Sequence, residues 1–383
     1  MSWEPQATVT INGVDYTGKA LNGVSITNGR TTIWEQARAG YANVEIVNLT
    51  DANEPFALNQ DVVIKVKNAS NTDVTVFTGI INDISVSTTI ANSTAKVSIH
   101  RIRAIGPFAQ MARTIVGGTN WPKEYDDDRL DRIFTAAGVT VDVVDTPGVY
   151  EFISYAAGLS DAYTYAAKYA SMAFGYIYET PDGKVGYANE SRRTTEADDN
   201  GYFSIPVSAI LTNGVTSLIS LVDVANDISL EYKANAVVTG TNAGSISAYG
   251  IRGFDIITEL EQQVEAENQL DRYLALRAFP RISLSNFNVQ LDISSLTTSQ
   301  LNGLIGIYMG KPIQVIGLPS AIYPGTYQGF VEGWTLTINR TQATLSLTTT
   351  EAALSLTPTR WQDVSASLAW TGVSASLQWS DYE

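Results

Sequence analysis

The stretch that most restricts how this chain can fold is residues 245–292, SISAYGIRGFDIITELEQQVEAENQLDRYLALRAFPRISLSNFNVQLD, which reads as strand, turn, long helix and strand. Thr258 and Glu261 have the S/T-x-x-E spacing of a capping box, which predicts a helix over residues 259–279. Leu260, Val264, Leu270, Tyr273 and Leu274 fall on one helical stripe, with Glu, Gln and Arg on the remainder. Pro280 ends the helix, because proline has no backbone N–H and restricts the residue before it. Beyond it Ile282 and Leu284, then Phe287, Val289, Leu291 and Ile293, alternate with polar residues as in a half-buried strand. An amphipathic helix laid on an antiparallel sheet buries both apolar faces.

Residues 7–104 extend the β reading. Short alternating runs such as ATVTI, NVEIVNL, VVIKVK and AKVSIHRIR are separated by turn residues, with Asn-Gly pairs at 12–13, 22–23 and 28–29 as expected turns. Residues 112–221 have a different character. Asp126, Asp127 and Asp128 open a short helix that stops at Gly138. Three carboxylates in a row could serve a divalent cation or a glycosidase; the simpler reading is that they satisfy free N–H groups and the dipole at a helix start. A second helix is expected between an N-cap at Ser160 and a stop at Gly175, with Ala162, Tyr165, Ala166, Tyr169 and Ala173 at helical spacing. Its tyrosines could form a carbohydrate platform, but beside small alanines they read first as core. A hairpin follows with its turn at Pro181-Asp182-Gly183, and the acidic run from Glu196 to Gly201 reads as a surface loop.

From about Val222 strands return. Phe77-Thr78-Gly79 and Tyr327-Gln328-Gly329 each introduce a strand followed by one rich in Thr, Val and Ser, which we read as an internal duplication. The expected organisation is a mainly β chain with a few helices: a first β-barrel over 1–111, an α+β unit over 112–221, a second barrel over 222–357 carrying helix 259–279, and a C-terminal segment over 358–383.

Composition removes most chemistry. Of 383 residues, 44% are hydrophobic and 16% charged, so the chain folds, with length for about two to three domains. There are 24 Lys and Arg against 39 Asp and Glu, a formal charge of −15, which disfavours nucleic acid as a held ligand but not DNA passing nearby. With no cysteine and one histidine, His100, neither a thiolate or imidazole metal site nor a Ser-His-Asp or Cys-His centre is expected. His100 lies on an alternating strand, on the face opposite Val97 and Ile99, and reads as structural or exposed. No G-x-S-x-G, H-E-x-x-H, P-loop or G-x-G-x-x-G motif occurs, leaving a carboxylate-pair glycan hydrolase as the one enzymatic alternative. No catalytic, metal or cofactor residue is therefore assigned. No apolar run approaches the roughly 18 residues of a transmembrane helix, and the first residues lack the pattern of a signal peptide, so synthesis in a cytoplasm is expected.

After Pro358 the chain repeats itself: Trp361-Gln-Asp-Val-Ser-Ala-Ser-Leu-Ala, then Trp370-Thr-Gly-Val-Ser-Ala-Ser-Leu-Gln, with Trp379 opening a third unit. Val364, Ala366, Leu368 and Trp370, then Val373, Ala375, Leu377 and Trp379, alternate with polar residues, the pattern of two strands turning at Thr371-Gly372. An isolated hairpin is barely stable, so this apolar face needs a surface. Either it covers the chain's own third unit, or Trp361, Trp370, Leu377 and Trp379 dock on another subunit or protein.

Several phrases occur in a familiar order. They are Val24-Ser-Ile-Thr-Asn-Gly-Arg30, Ala39-Gly40 with its strand closing on Asn48, Phe77-x-Gly79 with an acidic strand, the Asp182-Gly183-Lys184 hairpin before Arg192 and Arg193, and Tyr249-Gly250-x-Arg252 before the acidic helix. Together, over roughly residues 10–350, they resemble the hub or minor tail proteins of tailed bacteriophages. Asn48-Leu-Thr-Asp51 departs from the basic loop usual at that point. The resemblance implies two tail-tube-like barrels per chain and a homotrimer at the tail tip of a virion. The implied partners are a distal tail or tube protein, the tape-measure protein, and tip or fibre proteins, with DNA passing through unbound. A host-glycan-binding adhesin is the alternative from a different class.

Overall fold

The computed structural model describes residues 3–17, 21–49, 54–91, 95–211, 214–233 and 235–356. Its first strands are β1 (Ala7–Ile11), β2 (Val14–Asp15), β3 (Leu21–Gly29), β4 (Arg38–Asn48), β5 (Asp61–Lys67), β6 (Asp73–Ala91) and β7 (Ala95–Ile105). They lie in the order β2-β1-β5-β6-β7-β4-β3, every pairing antiparallel. The period-two pattern is realised directly, with Val9, Ile26, Val44, Ile64, Phe77 and Ile102 buried. Asn12 and Gly13, at φ of 47° and 79°, form the expected two-residue turn between β1 and β2. Asn22-Gly23 makes no turn, because it lies inside β3 at a register irregularity opposite β4. Helix α1 (Phe108–Met111) closes this part.

The middle of the chain is α+β. Helices α2 (Asp126–Ala137) and α3 (Ala162–Met172) pack against the sheet of β8 (Val141–Val144), β9 (Tyr176–Glu179) and β10 (Val185–Ala188), in the order β8-β10-β9. Gly138 stops α2 at φ 66°, as its sequence position predicts. The N-cap of α3 is Asp161, one residue beyond Ser160, and its carboxylate accepts the N–H of Thr164 at 2.8 Å. Phe174, not Gly175, takes the left-handed conformation after α3, at φ 55°. A β-carbon on Gly175 would lie 2.4 Å from the Tyr187 ring, so that glycine answers to packing. The run expected as a loop at 196–201 belongs to α4 (Arg192–Asn200), held by the buried Arg193 and Ala197. Strand β11 (Phe203–Pro206) then leaves this unit for the large sheet.

Strands β12 (Asp227–Tyr232) and β13 (Ala236–Thr241), helix α5 (Ala243–Tyr249), strand β14 (Gly253–Ile257) and helix α6 (Gln263–Arg277) come next. The SISAYG run expected as a strand is thus mostly α5, capped by Asn242. The long helix starts at Gln263, not at residue 259, and the capping box does not form. Thr258 is tied to the β12 ladder by two bonds to the Glu231 carbonyl, at 2.9 and 2.7 Å, while Glu261 meets Lys233 at 3.3 Å. Val264, expected on the apolar stripe, is exposed, whereas Ala266, Gln269, Leu270, Leu276 and Arg277 are buried. The helix is covered from two sides, by β12 and β13 and by the middle unit, which blurs its amphipathic pattern.

The chain ends, within the described residues, in β15 (Phe287–Gln290), α7 (Thr298–Ile305), β16 (Pro312–Ile316), β17 (Tyr327–Asn339) and β18 (Ala343–Glu351). A capping box does form here, between Thr297 and Gln300. These strands complete a 12-stranded sheet: β15 pairs β18, β18 pairs β17, and β17 carries both β16 and β3 along its other side. The expected second unit is therefore two sheets. Residues 227–257 form a separate three-stranded sheet under α6, and residues 287–351 join the first strands through β3, with Val24 opposite Ile338. Glycines permit that join. A β-carbon on Gly29, at φ 92°, would lie 2.3 Å from the Glu332 carbonyl oxygen.

The two ends of this sheet repeat one plan. The meander β5-β6-β7 has β4 beyond its last strand, and the meander β16-β17-β18 has β15 beyond its last strand. Gly79 and Gly329 each lie two residues after an aromatic ring that folds over them. A β-carbon there would meet the Phe77 ring at 2.8 Å and the Tyr327 hydroxyl at 2.8 Å, and the facing carbonyl of Ile105 at 2.3 Å or Thr350 at 2.5 Å. Three residues further on, each strand bulges, at Asn82 and at Glu332.

Candidate functional site

The sequence marked no catalytic set; of the residues it weighed, His100, Asp126, Tyr165 and Tyr169 are buried among structural contacts. His100 is buried, 3.1 Å from the Ser98 hydroxyl and edge-on to Phe56. Asp126 does not cap its helix: its carboxylate accepts the N–H groups of Val149 and Tyr150, at 2.6 and 2.8 Å, and the Tyr187 hydroxyl at 2.7 Å. Tyr165 and Tyr169 pack against Trp121 in the core of the middle unit and are not displayed as a platform. Among the described residues, no group of three or more His, Cys, Asp or Glu side chains could hold a metal ion. Nor is any helix of those residues long and apolar enough to cross a membrane. Trp361, Trp370, Leu377 and Trp379 lie outside the described residues.

Where the three regions of the chain meet, the structure assembles a site that the sequence did not announce. Glu332 sits at the β17 bulge with its side chain fully buried. Arg30, just past β3, places Nε 2.6 Å from Glu332 Oε2, and Arg193, on α4, places Nη2 2.8 Å from Oε1. Burial alone would push the Glu332 carboxyl up; Arg193 and Arg30 outweigh it and hold the group below the usual carboxylate range. Both guanidinium groups lie over the Tyr176 ring, with centroid distances of 5.3 and 5.2 Å. One carboxylate thus ties the first strands, the middle unit and the last strands together.

A second carboxylate fastens the middle unit to the first part of the chain alone. Glu179, at the end of β9, accepts the N–H of Gly40 at 2.8 Å and that of Phe108 at 2.6 Å. Among the described residues no cation forms an ion pair with it, and burial pushes its pKa up to about 8 against the opposing effect of the two N–H donors. A β-carbon on Gly106 would lie 2.3 Å from this carboxylate, so the glycine leaves the space it occupies.

Beside the Glu332 cluster lies a cavity of about 120 Å³, bordered by Arg30, Arg193, Arg272, Arg277, Trp34 and Tyr176. Arg277, near the end of α6, stacks 4.1 Å over the Trp34 ring and donates Nη1 to the Leu354 carbonyl at 2.8 Å. Trp34 is held in turn by its Nε1–H on Asp223 at 3.0 Å. Burial lowers Arg277 to about 10, unusually far for a guanidinium.

This architecture has solved counterparts. The 43 kDa tail protein of prophage MuSo2 from Shewanella oneidensis superposes with a TM-score of 0.62 at 12% identity, over 92% of this chain and 99% of that one. The tail protein from Neisseria meningitidis MC58 gives 0.64 at 9% identity, over 92% and 98%. The fold is that of a phage tail protein. No protein-family model and no curated protein sequence matches the chain.

On the short Ser217–Ile219 strand and just after it, Leu218, Ile219 and Val222 are exposed by 61%, 64% and 88%.

Proposed function

We propose that this chain is a structural component of a phage tail tip, three copies of which form a hub ring that closes or adapts the tail tube and anchors tip proteins. One observation carries the reading: the two ends of the 12-stranded sheet repeat the same meander, with matching glycines at 79 and 329 and matching bulges at 82 and 332. A chain that holds one unit twice offers six similar units from three copies, and so can seat on a six-fold tube while itself being three-fold. The fold shared with two tail proteins, one of them from a prophage, supports a virion location. The neighbours in this reading are a distal tail or tube protein on one side, tip or fibre proteins on the other, and the tape-measure protein in the lumen. DNA passes without being held, in keeping with a formal charge of −15. The exposed apolar residues at 218–222 suit a subunit interface. No enzymatic step enters this role.

The test is the assembly itself. Purified chain examined by mass photometry and negative-stain imaging should give a threefold ring with a lumen. A strictly monomeric chain under all conditions, including the presence of its tube protein, would remove the proposal.

A further inference from the structure

We infer that the arginine-lined cavity at the junction is a binding site for a small oxyanion, a carboxylate or a phosphate. The inference concerns a site inside one subunit and does not depend on the ring.

Charge is the first ground. Four guanidinium groups border the cavity, those of Arg30, Arg193, Arg272 and Arg277, together with the Glu190 carboxylate. Glu332 is shared by Arg30 and Arg193, and Glu190 lies 3.5 Å from Arg272. Four positive charges face two negative ones there, and Asp223, which takes the Trp34 indole N–H, adds a third negative charge acting on Arg277, so a surplus of one remains. The chain as a whole is strongly acidic, so a local excess of arginine is not a reflection of composition.

Unmet hydrogen bonding is the second. Arg277 is 4% exposed, and its Nε is buried with no hydrogen-bond partner. The Nε of Arg272 is likewise buried and unbonded, its contact with Glu190 being an ion pair too long for a hydrogen bond. The carbonyls of Glu190, Leu354 and Ser355 engage only the terminal nitrogens of these two side chains. Buried donors without acceptors are costly, and a buried cation without a counter-charge more so. An oxyanion supplies both.

Shape is the third. The space accommodates several waters or one phosphate-sized group. Arginine presents N–H donors in a fixed plane that matches carboxylate and phosphate oxygens, and the stack on Trp34 holds the Arg277 plane in place before any ligand arrives. The walls come from the loop after β3, from β9, from α4 and α6, and from the turn after β18. An anion here would join the same regions that Glu332 joins.

The experiment uses the full chain, titrated with potassium phosphate or sodium acetate against potassium chloride at equal ionic strength, and read by thermal unfolding and calorimetry. Phosphate or acetate should raise the unfolding temperature saturably, by roughly 3 °C or more when in large excess over its dissociation constant. Response to phosphate alone assigns a phosphate site; response to acetate, alone or with phosphate, assigns a carboxylate site that a protein side chain could also fill. Arg277→Gln should weaken binding at least tenfold. Arg38→Gln, at an arginine whose side chain is 76% exposed, should leave it unchanged. Should Arg277→Gln fail to fold, Arg272→Lys, which keeps the charge but not the planar donors, should still weaken binding severalfold. Phosphate and acetate acting no more strongly than chloride, or an undiminished response in the folded variants, would overturn the inference.

Discussion

Replacing Glu332 by Ala tests whether the buried cluster holds the three regions together. The side chain is fully buried and serves two arginines at once, Arg30 at 2.6 Å and Arg193 at 2.8 Å. Removing one partner of a buried ion pair costs about 3–5 kcal/mol, chiefly because the remaining charge is stranded away from water. Here two cations would be stranded within reach of the same Tyr176 ring, so the upper half of that range applies. An exposed pair such as Arg38 and Glu35 contributes about 0–1 kcal/mol and serves as the comparison. The assay is urea unfolding followed by far-UV circular dichroism on Glu332→Ala, on Glu35→Ala and on the triple variant Arg30→Met, Glu332→Leu, Arg193→Met. Glu332→Ala should lose about 4–5 kcal/mol, and the triple variant should recover most of it, since an apolar cluster of similar volume leaves no charge unpaired. The pH dependence has a definite sign. Glu332 is held below its ordinary value of 4.5, so its contribution is complete above that pH and is lost as pH falls through the folded value. A loss below about 1 kcal/mol for Glu332→Ala, or a triple variant worse than the single one, would refute the stranded-charge reasoning.

Three further outcomes are expected. Gly79→Ala and Gly329→Ala should each destabilise by about 1–3 kcal/mol, because both β-carbons would overlap a carbonyl and an aromatic side chain; thermal unfolding that finds either one neutral contradicts the equivalence of the two positions. Glu179, raised to about 8 from 4.5, contributes stability that is fully present below 4.5 and is lost as pH rises through 8. Stability curves between pH 5 and 9 should therefore shift in favour of Glu179→Gln over the parent as pH rises, by at most about 1.4 kcal/mol per unit, and parallel curves would show that Glu179 does not titrate there. Deletion of residues 359–383 should leave a folded, soluble chain by circular dichroism that is not incorporated into particles; normal incorporation ends the docking proposal for Trp361, Trp370, Leu377 and Trp379, and unfolding shows that the segment covers its own chain.

What local sequence could reveal was the direction in which side chains point. The alternation of β1 to β7, the Asn12-Gly13 and Pro181-Asp182-Gly183 turns and the stop at Gly138 all follow from period and backbone preference. What it could not reveal was partnership. Val24 and Ile338 are typical strand residues, and nothing within a few positions of either says that they face each other across the whole chain. The capping box at 258–261 was a sound local pattern that lost to tertiary contacts, since Thr258 gains more from the Glu231 carbonyl than from a helix end. The buried arginines had no mark in the sequence. Arg30, Arg129, Arg193 and Arg277 are all buried, each against an aromatic ring. A lone Arg on a strand end or helix carries no periodic signal that would distinguish a fastening from a solvated face.

The two bulges show how a repeated unit can acquire separate uses. A bulge turns one side chain out of the alternating pattern and leaves its backbone partly unpaired, so it is a place where a strand can reach a neighbour without disturbing its core face. At the first bulge Asn82 is half-buried, and its Oδ1 accepts from Arg113, 2.6 Å away in the segment just after α1. At the second, Glu332 is buried and takes an arginine from each of two distant regions. Both positions receive an arginine, but the first contact is local and exposed whereas the second is long-range and closed off from water. Carboxylate for amide at that one site changes a modest surface hydrogen bond into a charge that must be matched from elsewhere in the chain. The middle unit is thereby fixed to the second copy of the repeat at its bulge and to the first copy by Glu179, which meets Gly40 and Phe108 beside β4 and β7. Two copies of one plan thus hold a third element rigidly between them, and the free side of the first bulge, with Asn82 and the exposed Asp83, is left available on the outer surface.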